Sequence, residues 1–283
     1  MNAQCRKNNK QMAKREHDFV DTVWSYYREH KRAALPWRKS KKPYCILVSE
    51  IMLQQTQVDR VIPKYQAFLK QFPTVQKLAA APLSDVLILW QGLGYNRRAK
   101  LLHQCAQVVV HTHKGRFPRD FEALKALPGV GPYTAGAICA FAYNQAVPLI
   151  ETNIRTVFIH HFFHDKTDVS DAALVRYIAL TMDHKNPREW YWALMDYGSY
   201  LKKTVGNLNV KSKHYVKQSK FQGSDRQIRG AIVRALSEDP VLSRHKLHSL
   251  LTQFEDIRID AQLHLLESEG LIQKTKQSFS LAT

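Results

Sequence analysis

The chain has 283 residues, with 42 lysines and arginines against 24 aspartates and glutamates, a formal charge of +18. A surplus of that size concerns solubility and partners rather than fold. It points to a polyanion, and to nucleic acid before a membrane surface, since no basic amphipathic helix stands out.

No run of about twenty apolar residues exists to span a bilayer. The basic start (Arg6, Lys7, Lys10, Lys14, Arg15) has no apolar segment behind it and is not a secretory signal. It is either a solvated tail or an arm that touches the polyanion. Cys5, Cys45, Cys105 and Cys139 are scattered, with no C-x-x-C pair, which supports neither a zinc site nor a disulfide framework. A reducing, intracellular (cytoplasmic) location fits. The length admits one large domain or two smaller ones.

The elements follow in chain order. Residues 16–30 pattern as an amphipathic helix with Phe19, Val20, Val23, Trp24 and Tyr27 on one face. Leu35-Pro36-Trp37-Arg38 and a basic loop to Pro43 interrupt it. A helix over 44–58 carries Ile46, Leu47, Ile51, Met52 and Val58. Further helical patterns cover 61–71, 75–80, 83–91, 96–113, 119–126 and 132–143, punctuated by Pro73, Pro82, Pro118 and Pro128. After Pro148 come helices over 152–163, 171–184 and 187–201. No strand pattern precedes residue 205, so the core is all-α.

Residues 202–224, with Lys202, Lys203, Lys211, Lys213, Lys217 and Lys220 and no acidic residue, read as a basic linker. Helices are predicted over 225–237, from a Ser243 cap to about 251, and over 258–269. From Gly270 the tail alternates apolar and polar residues around a short turn, as a hairpin does. Three helices and a hairpin make either a winged-helix-like module or a small helical cap on the core.

Residues 127–135 carry the most specific local signal. Gly129 and Gly131 permit backbone angles and close approaches closed to other residues. Pro132 then fits the first turn of a helix, where its missing N–H costs nothing. A tight glycine turn feeding a helix N-terminus suits a phosphate group. Alone, it would read as an ordinary connection between helices before a phosphate site.

The loop does not stand alone. Leu35-Pro36-Trp37-Arg38, Ser49-Glu50-Ile51-Met52-Leu53-Gln54-Gln55-Thr56, Gln91-Gly92-Leu93-Gly94-Tyr95, the loop itself, and Pro148-Leu149-Ile150-Glu151-Thr152-Asn153-Ile154-Arg155 occur in that order. Over about residues 16–201 this closely resembles the helix–hairpin–helix (HhH-GPD) DNA glycosylases. The best match is to the adenine glycosylases that act opposite oxidised guanine, the MutY-like branch. The resemblance implies an all-α core of two helical subdomains over 1–212. One spans about 44–150, and the N-terminal helix with 151–212 forms the other; 213–283 hold the basic linker and the winged-helix-like module. It also implies double-stranded DNA with a mismatch or lesion as partner, no membrane, and a monomer.

The resemblance assigns roles by position. Glu50 falls on the glutamate that protonates the departing base, a task that needs an apolar pocket to raise its pKa, for which Ile46, Met52 and Leu53 are at hand. Glu151 falls where the family has an aspartate that stabilises the oxocarbenium-like sugar. Its arm is one methylene longer, so the pocket is re-spaced, the enzyme is slow, or the substrate differs. Asn153 matches an asparagine that supports the transition state, or else caps a helix. Tyr133 stands where strand-cleaving members carry lysine, and without that amine no Schiff base to the sugar forms. Gln55 and Tyr95 match residues that fill the duplex once a base is flipped out, and Arg97, Arg98 and Lys100 would sit near phosphates. Gln54, Thr56, Leu127, Gly129, Val130 and Gly131 complete the DNA-facing set.

Two departures accompany the match. Met195-Asp196-Tyr197-Gly198 leads into Lys202-Lys203 rather than the four cysteines that hold an iron–sulfur cluster in most relatives, so no cofactor is expected. His160, His161 and His214 lack partners for a metal site. The residues after 224 are also too few and too helical for the β-rich domain that checks for oxidised guanine. The reading is a monofunctional DNA glycosylase, adenine the leading target, thymine or uracil opposite guanine the second. A catalytically weak DNA-structure binder is the rival of another class.

Overall fold

A computed structural model describes residues 3–283, with only the helical backbone for 3–13. In chain order the elements are α1 (Ala3–His30), a 3-10 turn (Pro36–Lys39), α2 (Pro43–Leu53), α3 (Val58–Gln71), α4 (Val75–Ala79), α5 (Leu83–Trp90) and α6 (Arg97–His111). There follow α7 (Phe121–Lys125), α8 (Pro132–Tyr143), α9 (Thr152–Phe162), α10 (Asp171–Thr181), α11 (Pro187–Thr204) and a second 3-10 turn (Leu208–Lys211). The chain ends with α12 (Asp225–Glu238), β1 (Leu242–Ser243), α13 (Arg244–Leu250), α14 (Asp256–Ser268), β2 (Ile272–Thr275) and β3 (Ser278–Leu281).

The first compact unit comprises the chain up to Ile46, Arg119–Phe121 and Gly131–Lys217. Its core lies where α11 meets α9 and α1. Phe19 of α1 is packed edge-on to Trp190 at 6.1 Å and against Phe158 of α9 at 5.1 Å, and all three rings are buried. A polar clamp closes the unit. Asp196 of α11, almost fully buried, accepts two hydrogen bonds of 2.7 Å from Arg38 and one of 2.5 Å from the Arg32 guanidinium. Burial alone would raise the Asp196 pKa; the bonds and charge of Arg38, then Arg32, hold it below the usual carboxylate range.

The second unit comprises Leu47–Pro118, Glu122–Val130 and Gln218–Thr283. Phe68, Leu78, Leu87, Trp90 and Leu102 from α3–α6 fill its helical core. The C-terminal part is a winged-helix arrangement: three helices and an antiparallel sheet in the order β1-β3-β2. Ile232, Leu242, Leu263 and Phe279 form its core. Its helix α12 lies on α5, and Gln91 Nε2 donates to Ser237 Oγ at 3.4 Å.

Two sequence expectations need correction. The helix predicted over 44–58 stops at Leu53, because Gln55 adopts a left-handed φ of 54° and α3 restarts at Val58. The expected basic linker from 202 is structured at its start. There α11 runs to Thr204, and Val169 pairs with the following segment through Val169 N–H to Lys211 O (2.9 Å) and Lys213 N–H to Val169 O (3.0 Å). By contacts, Gly131–Tyr143 groups with the N-terminal helix, and the C-terminal module with Leu47–Pro118.

Candidate functional site

Glu151 is the N-cap of α9. Its Oε1 accepts from the backbone N–H groups of Asn153 and Ile154, both at 2.8 Å, and its Oε2 accepts from the Asn153 side-chain amide at 3.2 Å. Caps are ordinarily shorter residues. Here the extra methylene is taken up by folding back onto the helix N-terminus, so the carboxyl stays close to its own backbone. Burial pushes the Glu151 pKa up, while the two backbone N–H groups, Arg155 and the Asn153 amide oppose that rise. The cap is thus Glu151, and Asn153 positions its outer oxygen.

Features that the sequence left unread hold this helix end. A Cβ on Gly198 of α11 would lie only 2.8 Å from Asn153 Cβ and collide with the Asn153 carbonyl, so α11 reaches α9 only with glycine there. Asn209, buried in the second 3-10 turn, donates to Thr152 O at 3.1 Å and to Thr156 Oγ1 at 2.8 Å. Tyr191 fixes the approach to Glu151, donating to Val147 O at 2.6 Å and accepting from Leu149 N–H at 3.1 Å. Of these, only Gly198 had a legible signal, the Asp-x-Gly of Asp196-Tyr197-Gly198.

Tyr133, half-buried, occupies the first turn of α8 in the same unit. Glu50 belongs to the other unit. It is 6% exposed on α2, a helix whose Leu47, Val48, Ile51 and Met52 are all buried. A helix apolar all round is a buried helix, so an ionisable residue on it is costly unless engaged in chemistry or partnered.

Gln54, Gln55, Tyr95 and Arg97 line one cavity of about 430 Å³ within the second unit. Tyr95 is exposed and, like Gln55, has a left-handed φ, here 50°. Both are turn residues that project where regular structure breaks. Arg97 is exposed. Arg98 is not free for phosphate. Its Nη1 donates to the carbonyls of Ile51 (2.8 Å), Met52 (3.1 Å) and Gln54 (2.5 Å), and its Nη2 to Leu93 and Gly94 (both 3.0 Å) and to the Thr56 hydroxyl (3.2 Å). It caps the end of α2 and fixes the Gln54–Thr56 turn. Burial lowers its pKa to about 10, which leaves it charged at neutral pH. Lys100 likewise donates to Glu269 O at 2.5 Å, so of the three basic residues expected at phosphates Arg97 alone is exposed.

In the loop, Gly129 has φ +72° and a Cβ there would come within 2.7 Å of Leu101 Cβ, so this glycine is required twice over. Gly131 is different: it is extended (φ −84°, ψ 177°), exposed and open, and its backbone does not demand glycine. Leu127 and Val130 are buried, with Val130 N–H donating to Leu127 O at 3.1 Å. Their side chains anchor the turn, and only backbone groups are left to meet a ligand. The loop ends at the N-terminus of the twelve-residue α8, with Pro132 in its first turn.

The donor set does not fit an iron–sulfur cluster. Residues 199–217, after Gly198, contain no cysteine, and Cys45, Cys105 and Cys139 are buried without a disulfide. Burial pushes the Cys105 thiol up to about 12. No three His, Cys, Asp or Glu side chains converge among the described residues. His161 bonds to the Tyr197 hydroxyl at 3.0 Å and is held neutral, its pKa lowered to about 4 by burial, then His160 and Arg15. No helix among the described residues is long and apolar enough to cross a membrane.

The sequence matches the family model described as HhH-GPD superfamily base excision DNA repair protein over residues 48–177. An adenine DNA glycosylase of Mycolicibacterium smegmatis is 33% identical over 277 residues, covering 91% of this chain and 94% of that protein. The adenine DNA glycosylase of Homo sapiens is 43% identical over 148 residues, 49% of this chain and 27% of that protein. Among solved structures, a thermostable thymine-DNA glycosylase superposes with a TM-score of 0.61 at 26% identity, covering 66% of this chain and 88% of that one. A non-covalent endonuclease III–DNA complex superposes with a TM-score of 0.56 at 17% identity, covering 64% of this chain and 83% of that one, a likeness of fold alone.

Proposed function

Because the chain belongs to the HhH-GPD superfamily, in its adenine DNA glycosylase branch, we propose that it hydrolyses the N-glycosidic bond of a mispaired adenine in double-stranded DNA. The observation that carries the chemistry is the Glu151 carboxyl, seated on the N-terminus of α9 with its outer oxygen aligned by Asn153.

The bond between sugar C1′ and the base nitrogen breaks with its electron pair leaving on the base. Glu50 gives that base a proton, which lowers the cost of its departure. Glu151, as carboxylate, stabilises the positive sugar until water adds at C1′ and gives up a proton. Gln55 and Tyr95 enter the duplex in place of the flipped base. The backbone at Gly129–Gly131 and the N-terminus of α8 hold a phosphate. Tyr133 supplies no amine, so the chain removes the base without breaking the strand. It acts as a monomer and without an iron–sulfur cluster, on adenine opposite guanine or oxidised guanine.

The test is a duplex panel with adenine opposite guanine, oxidised guanine or cytosine, and thymine or uracil opposite guanine, each treated with alkali after incubation. Alkali-dependent breaks at adenine are expected. Breaks only at thymine or uracil would overturn the adenine assignment, and tight abasic-site binding with no breaks anywhere would leave a DNA binder. Glu50→Gln removes base release while keeping affinity for the duplex; undiminished release in that variant would remove Glu50 from the mechanism.

A further inference from the structure

Gln55 and Tyr95 sit on two separate turns of the second unit, and both have left-handed backbones, with φ of 54° and 50°. Such angles are unfavourable for residues other than glycine and persist where neighbouring contacts over-determine them. We propose that Arg98 is a positioning residue for the reaction, fixing these two turns against each other and against the helix of Glu50. The proposal rests on the glycosylase reading, with Gln55 and Tyr95 entering the duplex and Glu50 protonating the base.

One guanidinium reaches all three pieces. On the Gln55 side, Nη1 donates to Gln54 O at 2.5 Å and Nη2 to Thr56 Oγ1 at 3.2 Å, the residues that flank Gln55. On the Tyr95 side, Nη2 donates to Leu93 O and Gly94 O, both at 3.0 Å, the two carbonyls that precede Tyr95. The Arg98 Cζ also lies 5.5 Å from the centre of the Tyr95 ring and 5.4 Å from that of Trp90, whose Nε1 donates to Gly94 O at 3.1 Å. Toward α2, Nη1 donates to Ile51 O at 2.8 Å and Met52 O at 3.1 Å, the two residues that follow Glu50. Carbonyls of a last helical turn lack partners inside the helix, and a cation suits that end of its dipole. The Thr56 hydroxyl lies 3.4 Å from Leu93 O and so spans the two turns directly. Lysine has its three donors on one nitrogen and cannot divide them among these acceptors as a planar fork does. Because the turns and the end of α2 share one donor group, a shift of any of them is passed to the others. Base extrusion and proton delivery are thereby set in register by a side chain that needs no contact with DNA.

The experiment compares full-length Arg98→Lys, Thr56→Val and Thr56→Ser, each checked by thermal melting, on a duplex with adenine opposite guanine. A fluorescent adenine analogue beside the target reports extrusion in stopped flow, and alkali cleavage reports single-turnover release. Arg98→Lys is expected to keep its affinity for undamaged duplex, to lose most of the extrusion signal, and to slow release roughly 10²-fold, the scale of an ångström misplacement. Thr56→Val is expected to slow release roughly tenfold, the scale of the hydrogen bonds removed. Thr56→Ser keeps the hydroxyl and is expected to behave as the wild type, which also decides the matter if Arg98→Lys fails to fold. With Gln55→Ala and Tyr95→Ala already in place, Arg98→Lys is expected to slow release by a smaller factor than it does alone, because residues that act together are not additive. Full additivity overturns the proposal, as does undiminished extrusion in Arg98→Lys or equal impairment of the two Thr56 variants. A loss of affinity for undamaged duplex matching the loss of release would make Arg98 a phosphate contact and overturn it too. Failure of the glycosylase reading shows separately, as no base release by the wild-type chain.

Discussion

Replacing Glu151 by glutamine separates its structural role from its chemical one. Glutamine keeps the length and one carbonyl oxygen, so both 2.8 Å bonds to Asn153 N–H and Ile154 N–H survive. What disappears is a negative charge at a helix N-terminus, a loss of about 0.3–1 kcal/mol. Against it stands the burial that raises the Glu151 pKa, a cost of holding the charged form that glutamine does not carry. A folded pKa above the unfolded value means that this carboxyl contributes stability below the unfolded pKa, and that the contribution is lost as pH rises through the folded pKa. At neutral pH the variant is therefore expected to match the wild type within about 1 kcal/mol, or to exceed it, in urea denaturation. Single-turnover base release should nevertheless fall roughly 10²–10³-fold, the range for removing one preorganised electrostatic group. In the wild type, release should decline as pH drops through the raised Glu151 pKa, placing the acid limb above the usual carboxylate range. A variant that releases base at an undiminished rate, or one that unfolds at a much lower urea concentration, would refute the reasoning.

The remaining predictions concern the groups behind that carboxyl. Asp196→Asn leaves the Arg38 charge uncompensated in a buried setting, while the half-exposed Arg32 is screened by solvent, and should cost about 3–5 kcal/mol by urea denaturation. Since the Asp196 pKa is depressed, its contribution is present above the ordinary carboxylate range and lost as pH falls through the folded value. The wild-type urea midpoint should thus drop on acidification more than the variant's. Gly198→Ala drives a methyl into the Asn153 backbone and should destabilise by about 1–3 kcal/mol while slowing base release at saturating DNA. Asn209→Leu removes the bonds to Thr152 and Thr156 and should lower stability by about 1–3 kcal/mol, checked by the same denaturation series.

Much of the fold was legible because long amphipathic runs and prolines mark helices well, and α3, α5, α8 and α9 fall close to their predicted spans. The failures have local causes. Periodicity carried α2 past Leu53 because it does not register the Arg98 guanidinium, 44–47 residues further along the chain, that collects the carbonyls of Ile51, Met52 and Gln54. For the same reason Arg98 was read as a phosphate contact: a basic residue between basic neighbours gives no sign that its side chain turns inward. Strand β1, two residues long, is too short to show alternation. Gly129 and Gly131 look equivalent in sequence, yet only Gly129 has a left-handed backbone and a neighbour in its way.

Glu151 and the segment after α11 meet at the same helix end. An aspartate there would reach less far; the glutamate's extra carbon is absorbed by a cap on α9, which fixes the carboxyl through two backbone bonds rather than through a longer reach. Such a cap is useful only if the helix end itself is immobile. Gly198 lets α11 touch Asn153, and Asn209 ties the segment after α11 to Thr152 and Thr156, one turn into α9. Each buried hydrogen bond contributes about 0.5–1.5 kcal/mol. All of them, however, act within one turn of the carboxyl. Positional precision at that oxygen depends on these nearest contacts, because errors on the 1 Å scale already cost about a hundredfold in rate.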